Sequence, residues 1–579
     1  MKHTGCGAKR FRVARIPVIM FLAAGLTAAA VAARPALPTA HKTTPWWQHA
    51  VFYEVYPRSF QDTDGDGVGD LNGITAKLDY LHDLGVDALW ITPFYPSPQV
   101  DFGYDISDYE NVDPSFGNLA DFDRLLDAAH QRGMKILMDM VLNHTSDQHP
   151  WFIESRSSRT DPKRDWYIWR DGNKGGPPNN WISVFGGPAW TFDPRTGQWF
   201  YHYFYPQQPD LNWRNPAVEK AMFDQVSFWL KRGVDGFRLD AVANLFEDPR
   251  LRDNPVLPSL VAGSTTEHQE KEIYDTDLPE VHTELQRLRK LTDAYPGRVL
   301  VGETWPPSMA GLLKYYGPDN NELQLPFNFF FTKVSKLDAA AFRSEVEETE
   351  RVLDDRWTTW VLSNHDLTRA YTRYADGRHN DQIAKILGTM VLTLRGTPFI
   401  YYGEELGMQN NDPKTIDEVR DPVGKREWPT NKGRDGERTP LPWTPGRGAG
   451  FTTGKPWLPI QPSARTYNVE TESADPASIL NYYKALLRLR RESPALLDGE
   501  YQTVGDDPHV FAYLRKAAGQ TVVVALNMSA DPQRLDLPAT GLGQRSLKPM
   551  LSSLGPADEG TVKRGITLKP FEAMVLSAR

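Results

Sequence analysis

Four acidic residues of the chain each close a short apolar segment that has the composition of a buried strand. They are Asp139, Asp240, Glu303 and Asp366. Parallel strands end on a common face of an α/β fold, so we expect these carboxylates to converge. Two facing carboxylates suit glycoside hydrolysis, because one holds a proton for the leaving oxygen while the other stays ionised beside a cationic sugar centre. Helix capping would explain one or two of the four, but not a convergent set.

Basic and imidazole side chains accompany these acids. Arg238 precedes Asp240 by two residues, so a strand would point both side chains to the same face, where the cation would keep Asp240 ionised. His144 and His365 could bind zinc together with aspartate, but the chain contains no HExxH motif and their spacing is not that of ligands on a helix. The GxSxG, P-loop and strand-to-helix GxGxxG motifs are also missing, which disfavours serine-hydrolase and nucleotide chemistry.

A recurring pattern indicates the elements that position these residues. Four helical segments have apolar residues at three-to-four spacing and end at glycine or Pro-Gly. Each leads into a short run whose odd and even positions are both apolar, as in a strand buried on both faces. Such units are typical of β/α repeats, and eight candidate strands favour a (β/α)8 TIM barrel, an α/β fold, over an open sheet. The eight predicted strands are 50–56, 86–92, 134–140, 234–240, 298–303, 325–329, 358–366 and 397–403.

The domain organisation follows from where this pattern is interrupted. The barrel is predicted over residues 41–143 and 216–494. Residues 144–215 are too long for a connecting loop and rich in Trp, Gly and Pro, so they are expected to form an inserted subdomain after the third strand. Alternating strands after about residue 495 predict a C-terminal antiparallel β-sandwich over 495–579.

The net charge limits the kinds of partner, and the N-terminal segment predicts the cellular location. The 579 residues contain 65 Lys and Arg against 74 Asp and Glu, a formal charge of −9, which disfavours nucleic acid and anionic membranes. Residues 1–40 combine five early basic residues with an apolar run, as a secretory signal peptide does. A retained membrane anchor is the alternative, weakened by Gly25 and many alanines. Cys6, the single cysteine, lies in this segment, so the mature protein is expected to contain no disulfide. The signal peptide predicts a periplasmic or secreted protein without stable membrane association.

Several segments resemble a known family. DMVLNH (139–144), GFRLDAV (236–242), VGETW (301–305) and SNHD (363–366) are similar, in order, to the four signature regions of the α-amylase superfamily, glycoside hydrolase family 13. QPDLNW (208–213) resembles a further motif of the family. The resemblance extends from about residue 45 to the C-terminus and implies a retaining enzyme without an organic cofactor.

The resemblance implies roles for the central residues. Asp240 would be the nucleophile, Glu303 the general acid and then base, and Asp366 a transition-state stabiliser. The retaining mechanism implies carboxyl groups about 5 to 5.5 Å apart. His144 and His365 would bind sugar hydroxyls, with Asp139 supporting them, although a purely structural role for the histidines stays open.

A closer resemblance, to the α-glucosidase and oligo-1,6-glucosidase branch, implies a substrate pocket. It is carried by 51–74, 101–109 and 437–443. By this resemblance Tyr104 would stack on a terminal glucose while Asp101 and Arg438 hold its far hydroxyls; Phe204 and Gln208 are further candidates, and Phe204 could equally be packing. Such a closed pocket favours exo-action on short oligosaccharides or small α-glucosides.

The resemblance to this branch also predicts which glycosidic linkage is cleaved and whether glucose is released or transferred. Valine after the nucleophile resembles α-1,6 enzymes, and this chain has Ala241, so hydrolysis of terminal α-1,4 linkages is expected. The segment 244–257 resembles transglucosylating α-glucosidases. A trehalose synthase or another α-glucosyl transferase or isomerase remains the alternative, although the RLDRD-type motif of isomaltulose-forming enzymes is missing. A non-catalytic barrel is disfavoured because all three acids are present. Oligomeric state is not predicted.

A separate acidic run suggests a metal site. Residues 62–70 carry carboxylates at alternate positions among glycines, a pattern suited to a hard cation. An EF-hand is disfavoured because its twelfth position holds Gly73 and no helix is expected before the run. The resemblance implies a structural Ca²⁺ site, although an empty turn stays open. The implied ligands are Asp62, Asp64, Asp66, the Val68 carbonyl and Asp70.

Overall fold

The computed structural model describes residues 44–256, 271–536, 542, 545–555 and 565–578. Its strands are β1 Phe52–Val55, β2 Ala88–Ile91, β3 Lys135–Val141, β4 Trp169–Arg170, β5 Trp190–Asp193, β6 Gln198–Tyr201, β7 Gly236–Asp240, β8 Val299–Gly302, β9 Leu325–Pro326, β10 Thr359–Val361, β11 Thr397–Tyr401, β12 Glu500–Thr503, β13 Val510–Ala517, β14 Gln520–Asn527, β15 Gln533–Asp536, β16 Leu547–Ser552, β17 Gly565–Leu568 and β18 Ala573–Ala578.

The α-helices alternate with the strands through most of the chain. They are α1 Trp46–His49, α2 Pro57–Phe60, α3 Leu71–Ala76, α4 Leu78–Leu84, α5 Leu119–Gln131, α6 Pro150–Ser155, α7 Pro216–Arg232, α8 Pro279–Asp293, α9 Met309–Lys314, α10 Ala339–Leu353, α11 Ala370–Arg373, α12 Asn380–Thr393, α13 Pro422–Glu427, α14 Val469–Ala474, α15 Ile479–Glu492 and α16 Pro494–Asp498.

The eight strands expected from the apolar runs form one parallel sheet, which confirms the predicted barrel. Its order is β10-β11-β1-β2-β3-β7-β8-β9. The two terminal strands of this order are linked through Thr359, whose hydroxyl donates to the Pro326 carbonyl at 3.2 Å and accepts the Asn328 amide at 2.8 Å. Because all strands run in one direction, their carboxyl ends share one rim.

Side chains of both strand faces are buried, as the apolar runs predicted. One face fills the barrel interior with large rings, among them Phe52, Trp90, Phe327 and Phe399. Phe52 stacks on Phe399 with centroids 4.6 Å apart, and Trp90 lies 5.5 Å from Phe327. The opposite face packs under the surrounding helices. This dense interior gives the rim residues a rigid base.

The helix boundaries follow the sequence signals. Helix α7 begins after Asn215, whose side chain accepts the Ala217 amide at 3.0 Å, and Gly233, with φ +110°, caps its C-terminal end. Glycine adopts this left-handed conformation without the steric cost of a Cβ atom. The buried residues of α7, Val218, Met222, Val226, Trp229 and Leu230, form the expected apolar stripe.

Two further units flank the barrel. Between β3 and α7 the chain forms a small antiparallel sheet of order β4-β6-β5, inside the predicted insertion 144–215. After α16, a five-stranded antiparallel sheet, β12-β13-β14-β18-β16, and the pair β15-β17 share one apolar cluster. The C-terminal antiparallel domain is therefore confirmed.

The predicted signal peptide, residues 1–40, lies outside the described residues. Among the residues that are described, no helix combines the length and apolar character that a membrane crossing requires.

Candidate active site

Strand register brings the predicted acids together at the rim. In the β3–β7 pair Asp139 lies opposite Arg238, and in the β7–β8 pair Leu239 lies opposite Gly302. Glu303 follows β8, and its amide donates to the Leu239 carbonyl at 2.9 Å. Asp240 and Glu303 therefore occupy adjacent positions on neighbouring strands.

Arg238 is the common partner of three carboxylates. Its Nη1 lies 2.7 Å from Asp240 Oδ1 and 2.8 Å from Asp139 Oδ1, and its Nη2 lies 2.7 Å from Glu303 Oε2. Because both nitrogens belong to one guanidinium, the bound oxygens of Asp240 and Glu303 are at most about 8 Å apart. This upper limit accommodates the spacing of about 5 to 5.5 Å that a retaining glycosidase uses.

The charge balance of this cluster favours a bound proton. Burial, with the charges of Glu303, Asp139 and Asp366, raises the pKa of Asp240 well above its usual value, although Arg238 opposes the shift. Burial also raises the pKa of Asp139 against the same cation. One guanidinium cannot neutralise three carboxylates, so the cluster holds a proton more readily than separate carboxyl groups would, as acid catalysis requires.

Asp366 has the opposite electrostatic environment. Its Oδ1 lies 2.6 Å from Arg438 Nη2 and 3.0 Å from Arg434 Nη1, and its Oδ2 lies 3.2 Å from His365 Nε2. Burial alone would raise the pKa of Asp366, but the positive charges of His365, Arg434 and Arg438 hold it well below the usual range. Asp366 is therefore a permanent carboxylate beside the paired acids.

His365 links Asp366 to the barrel interior. Its Nδ1 lies 2.6 Å from Glu54 Oε1, and its Nε2 lies 2.8 Å from the Tyr104 hydroxyl. Burial opposes protonation, but the charges of Asp366 and Glu54 raise the pKa of His365 to about 9. Tyr104 stacks on the imidazole with centroids 5.4 Å apart. The ring is thus a buried cation that orients both neighbours.

A hydrogen-bonded polar wall extends from Asp366. Arg434 Nη2 lies 2.7 Å from Asp101 Oδ1, and the Gln208 amide nitrogen lies 3.3 Å from Asp101 Oδ2 and 3.0 Å from His144 Nε2. Burial lowers the pKa of His144 to about 3, so this imidazole is neutral. The wall presents both donors and acceptors, as sugar recognition requires.

These side chains surround a cavity of about 280 Å³. Eight of the predicted site residues line it, together with five that the sequence did not single out. The predicted eight are Asp101, Tyr104, His144, Phe204, Gln208, Asp240, Glu303 and Asp366, and the added five are Val184, Phe185, Trp305, Leu367 and Arg434.

Three of the predicted site residues lie behind the cavity wall. Arg238, His365 and Arg438 are at most 1% exposed and do not line the cavity. Arg438 donates from Nε to the His365 carbonyl at 2.6 Å, and Arg434 occupies the wall instead. Arg434 stands four residues before Arg438 in KGRDGERTP, and the presence of two arginines there was the available signal.

Phe204, the aromatic candidate of the insertion, reaches the cavity. Phe204 lies 5.0 Å from the His144 ring and 5.7 Å from the Phe185 ring. Arg434 sits 5.3 Å above the Phe185 ring, so the insertion and the barrel loops meet at this side of the cavity.

The residue after the nucleophile candidate has an unusual backbone. Ala241 has φ +45°, and its amide donates to Glu303 Oε2 at 3.1 Å. The conformation therefore ties the end of β7 to the Glu303 carboxylate.

The predicted metal loop brings three of its acids together. Ligand oxygens of Asp62, Asp64 and Asp70 lie within 4.8 Å of one another, a spacing that fits one hard cation, whereas Asp66 is not part of this group. Asp66 Oδ1 instead accepts the Val68 amide at 2.7 Å. Partial burial would raise the pKa of Asp62, but Thr452 and the amides of Gly65 and Gly67 hold it below its usual value.

Comparison with known proteins places the chain in a family. Residues 54–499 match the family described as Alpha amylase, catalytic domain, and residues 502–575 match Maltogenic Amylase, C-terminal domain. The chain is 43% identical to a probable alpha-glucosidase of Rhizobium meliloti over 85% of this chain and 91% of that protein. It is 38% identical to an oligo-1,6-glucosidase of Parageobacillus thermoglucosidasius, over 92% and 99%.

A solved structure gives the same result. The crystal structure of the alpha-glucosyl transfer enzyme XgtA superposes with a TM-score of 0.85 at 44% identity, covering 93% of this chain and all of that one. The eight-stranded barrel and the C-terminal domain agree with these matches. The chain belongs to the α-amylase family of glycoside hydrolases.

Proposed function

We propose that the protein is a retaining, exo-acting α-glucosidase that releases terminal α-1,4-linked glucose from short malto-oligosaccharides or small α-glucosides and also transfers glucose. The observation that carries this proposal is the shared contact of Asp240 and Glu303 with Arg238 at the edge of the cavity. Their proximity supports a double displacement at one anomeric carbon.

The proposed reaction assigns a role to each acid. Glu303 donates its proton to the glycosidic oxygen while Asp240 attacks the anomeric carbon and forms a β-glucosyl ester. Glu303 then takes a proton from water or an alcohol, which attacks the ester and restores the α configuration. Asp366, held anionic by its three cationic neighbours, would stabilise the positive charge that develops on the sugar.

The cavity supports action at a chain end. Its volume of about 280 Å³ is small, and the wall of Asp101, Gln208 and Arg434 is closed by hydrogen bonds within itself. We assign the glucose hydroxyls to this wall and to His144, with Tyr104 as the stacking surface. The linkage preference is supported by Ala241, because the smaller side chain matches the α-1,4 pattern.

One assay tests the proposal. Hydrolysis of maltose, isomaltose, sucrose and an aryl α-glucoside is measured for the native protein and for Asp240→Asn, Glu303→Gln and Asp366→Asn. We expect maltose to be preferred over isomaltose and each variant to lose at least about 100-fold in kcat. Asp127→Asn, an exposed position on α5, is the control. Unchanged hydrolysis by Asp240→Asn would overturn the proposal and revive a non-catalytic barrel.

Glucosyl transfer is the second candidate as the main activity, favoured by the similarity to a glucosyl transfer enzyme. The ester can be opened by a sugar or alcohol as well as by water. Product analysis after incubation with maltose separates the outcomes: glucose indicates hydrolysis, longer or alkylated glucosides indicate transfer, and trehalose indicates a trehalose synthase.

We also propose a structural Ca²⁺ bound by Asp62, Asp64 and Asp70, with Asp66 and the Val68 carbonyl as the remaining predicted ligands. The compact carboxylate group supports this assignment. The ion would hold the turn between α2 and α3 and would take no part in the chemistry.

Finally, we propose that residues 1–40 direct export to the periplasm or the exterior. Their basic start and apolar run support this assignment. N-terminal sequencing of protein from the native host should find a mature terminus near residue 41, and retention of Met1 would contradict export.

A further inference from the structure

The two carboxylate oxygens of Glu303 have different partners. Oε2 accepts the Arg238 guanidinium at 2.7 Å and the Ala241 amide at 3.1 Å. Oε1 accepts one neutral donor, the indole N–H of Trp305, at 3.0 Å. An oxygen already bonded to a guanidinium and an amide is a poor place for a proton, so the proton of the acid form resides on Oε1.

Trp305 is held in place by stacking. Its ring packs on Phe329 with centroids 4.1 Å apart and an interplanar angle of 13°. The side chain lines the cavity while 48% of its surface stays exposed. An exposed aromatic residue that is both stacked and bonded to a candidate acid has a fixed orientation toward that acid.

We propose that Trp305 is a positioning residue that selects Oε1 of Glu303 as the reacting oxygen and stabilises it while it is unprotonated. This inference rests on the proposed function. When the glycosidic bond breaks, its electron pair goes to the leaving oxygen, which receives the proton from Oε1. Oε1 is then anionic, and the indole hydrogen bond becomes charge-assisted until the acceptor returns a proton.

The test distinguishes the effect of the indole N–H of Trp305 from the effect of its aromatic ring. Trp305→Phe keeps a ring against Phe329 but removes the donor, whereas Trp305→Ala removes both. Trp199→Phe, in strand β6 of the insertion, is the matched control. The pH dependence of kcat/KM and the values of kcat and KM are measured with an aryl α-glucoside, and thermal melting reports the folding of each variant.

Loss of the donor favours the protonated form of the acid, so the alkaline limb of kcat/KM should move upward by about one pH unit in Trp305→Phe. Its KM should change less than about twofold, while Trp305→Ala should show the same shift together with a higher KM. The position of a limb does not depend on the fraction of folded protein, so partial misfolding leaves the test valid.

A Trp305→Phe profile identical to that of the native protein and of Trp199→Phe would overturn the inference, and so would a shift in Trp305→Ala alone. Failure of the proposed function is distinguishable, because Glu303→Gln would then retain hydrolysis. An inactive Glu303→Gln with an unshifted Trp305→Phe would reject the role of Trp305 only.

Discussion

Two acidic clusters of the molecule balance their negative charge in different ways. At the barrel rim, Asp139, Asp240 and Glu303 contact the guanidinium of Arg238. In the loop 62–70, the carboxylates accept backbone amides, as Asp62 does from Gly65 at 2.7 Å and Gly67 at 2.9 Å. Within the described residues, no ion pair joins that loop to a Lys, Arg or His side chain.

The difference indicates what each cluster can do. At the rim the cation is Arg238, a side chain of the protein itself. The rim carboxylates can therefore exchange a proton and face a neutral sugar. Carboxylates whose donors are neutral amides and hydroxyls retain their charge for an external cation. The same residue types therefore support chemistry in one place and metal binding in the other.

Replacing the rim cation should give the largest effect. Arg238→Lys retains the charge, but one ammonium cannot occupy the positions of two guanidinium nitrogens. We expect kcat/KM with an aryl α-glucoside to fall at least about 100-fold while circular dichroism shows a folded protein. Arg232→Lys, which alters a surface pair with Asp123, should change activity less than about twofold. Retention of a tenth of the activity by Arg238→Lys would contradict the shared-cation account.

The free energy of unfolding should also fall at alkaline pH, because His365 loses its proton there. Its pKa is raised to about 9 in the folded protein, so its ion pairs stabilise fully below about pH 6.5 and this contribution is lost as the pH rises to about 9. The difference in unfolding free energy between the native protein and His365→Gln should therefore shrink by about 2 kcal/mol across that interval. Denaturant titrations at pH 6.5 and 9 measure it, and a constant difference would refute a charged His365.

Calcium removal should affect the other cluster alone. Chelation should lower the melting temperature by about 5 °C while leaving kcat unchanged at temperatures well below melting. Asp62→Asn should melt near the chelated native protein and respond little to chelator. An unchanged melting temperature would reject the metal site, and a parallel loss of kcat would reject its separation from the rim.

The smallest effect concerns a single hydrogen bond of the loop. The Thr452 hydroxyl donates to Asp62 Oδ2, and Thr452→Val removes it while keeping the shape of the side chain. We expect a loss of about 1 kcal/mol in unfolding free energy, with Thr452→Ser close to the native value. Equal losses in both variants would assign the effect to packing instead.

Regular elements made most of the fold predictable from sequence. Apolar runs on both parities predicted all eight barrel strands, because a parallel strand covered on both faces needs that composition. The strand ends then located Asp139, Asp240 and Glu303. The family resemblance supplied Asp101, Tyr104 and Gln208, which the structure brings to the same cavity.

Residues placed by irregular loops were not predictable. Arg434 and Phe185 come from segments without a hydrophobic period, so tertiary contacts alone decide that Arg434, and not Arg438, reaches the cavity. Trp305 lies in the motif VGETW, yet its bond to Glu303 depends on the stack with Phe329 from another loop. Similarly, alternate spacing did not show which of the loop acids, Asp62, Asp64 and Asp70, come within 4.8 Å of one another.

The configuration of the first product tests the central claim most directly. Proton NMR during early hydrolysis of an aryl α-glucoside distinguishes α-glucose from β-glucose before mutarotation mixes them. If Asp240 attacks the sugar while Glu303 serves as acid and then base, α-glucose appears first. Initial release of β-glucose would show a single displacement by water and would contradict the assignment of Asp240 as the nucleophile.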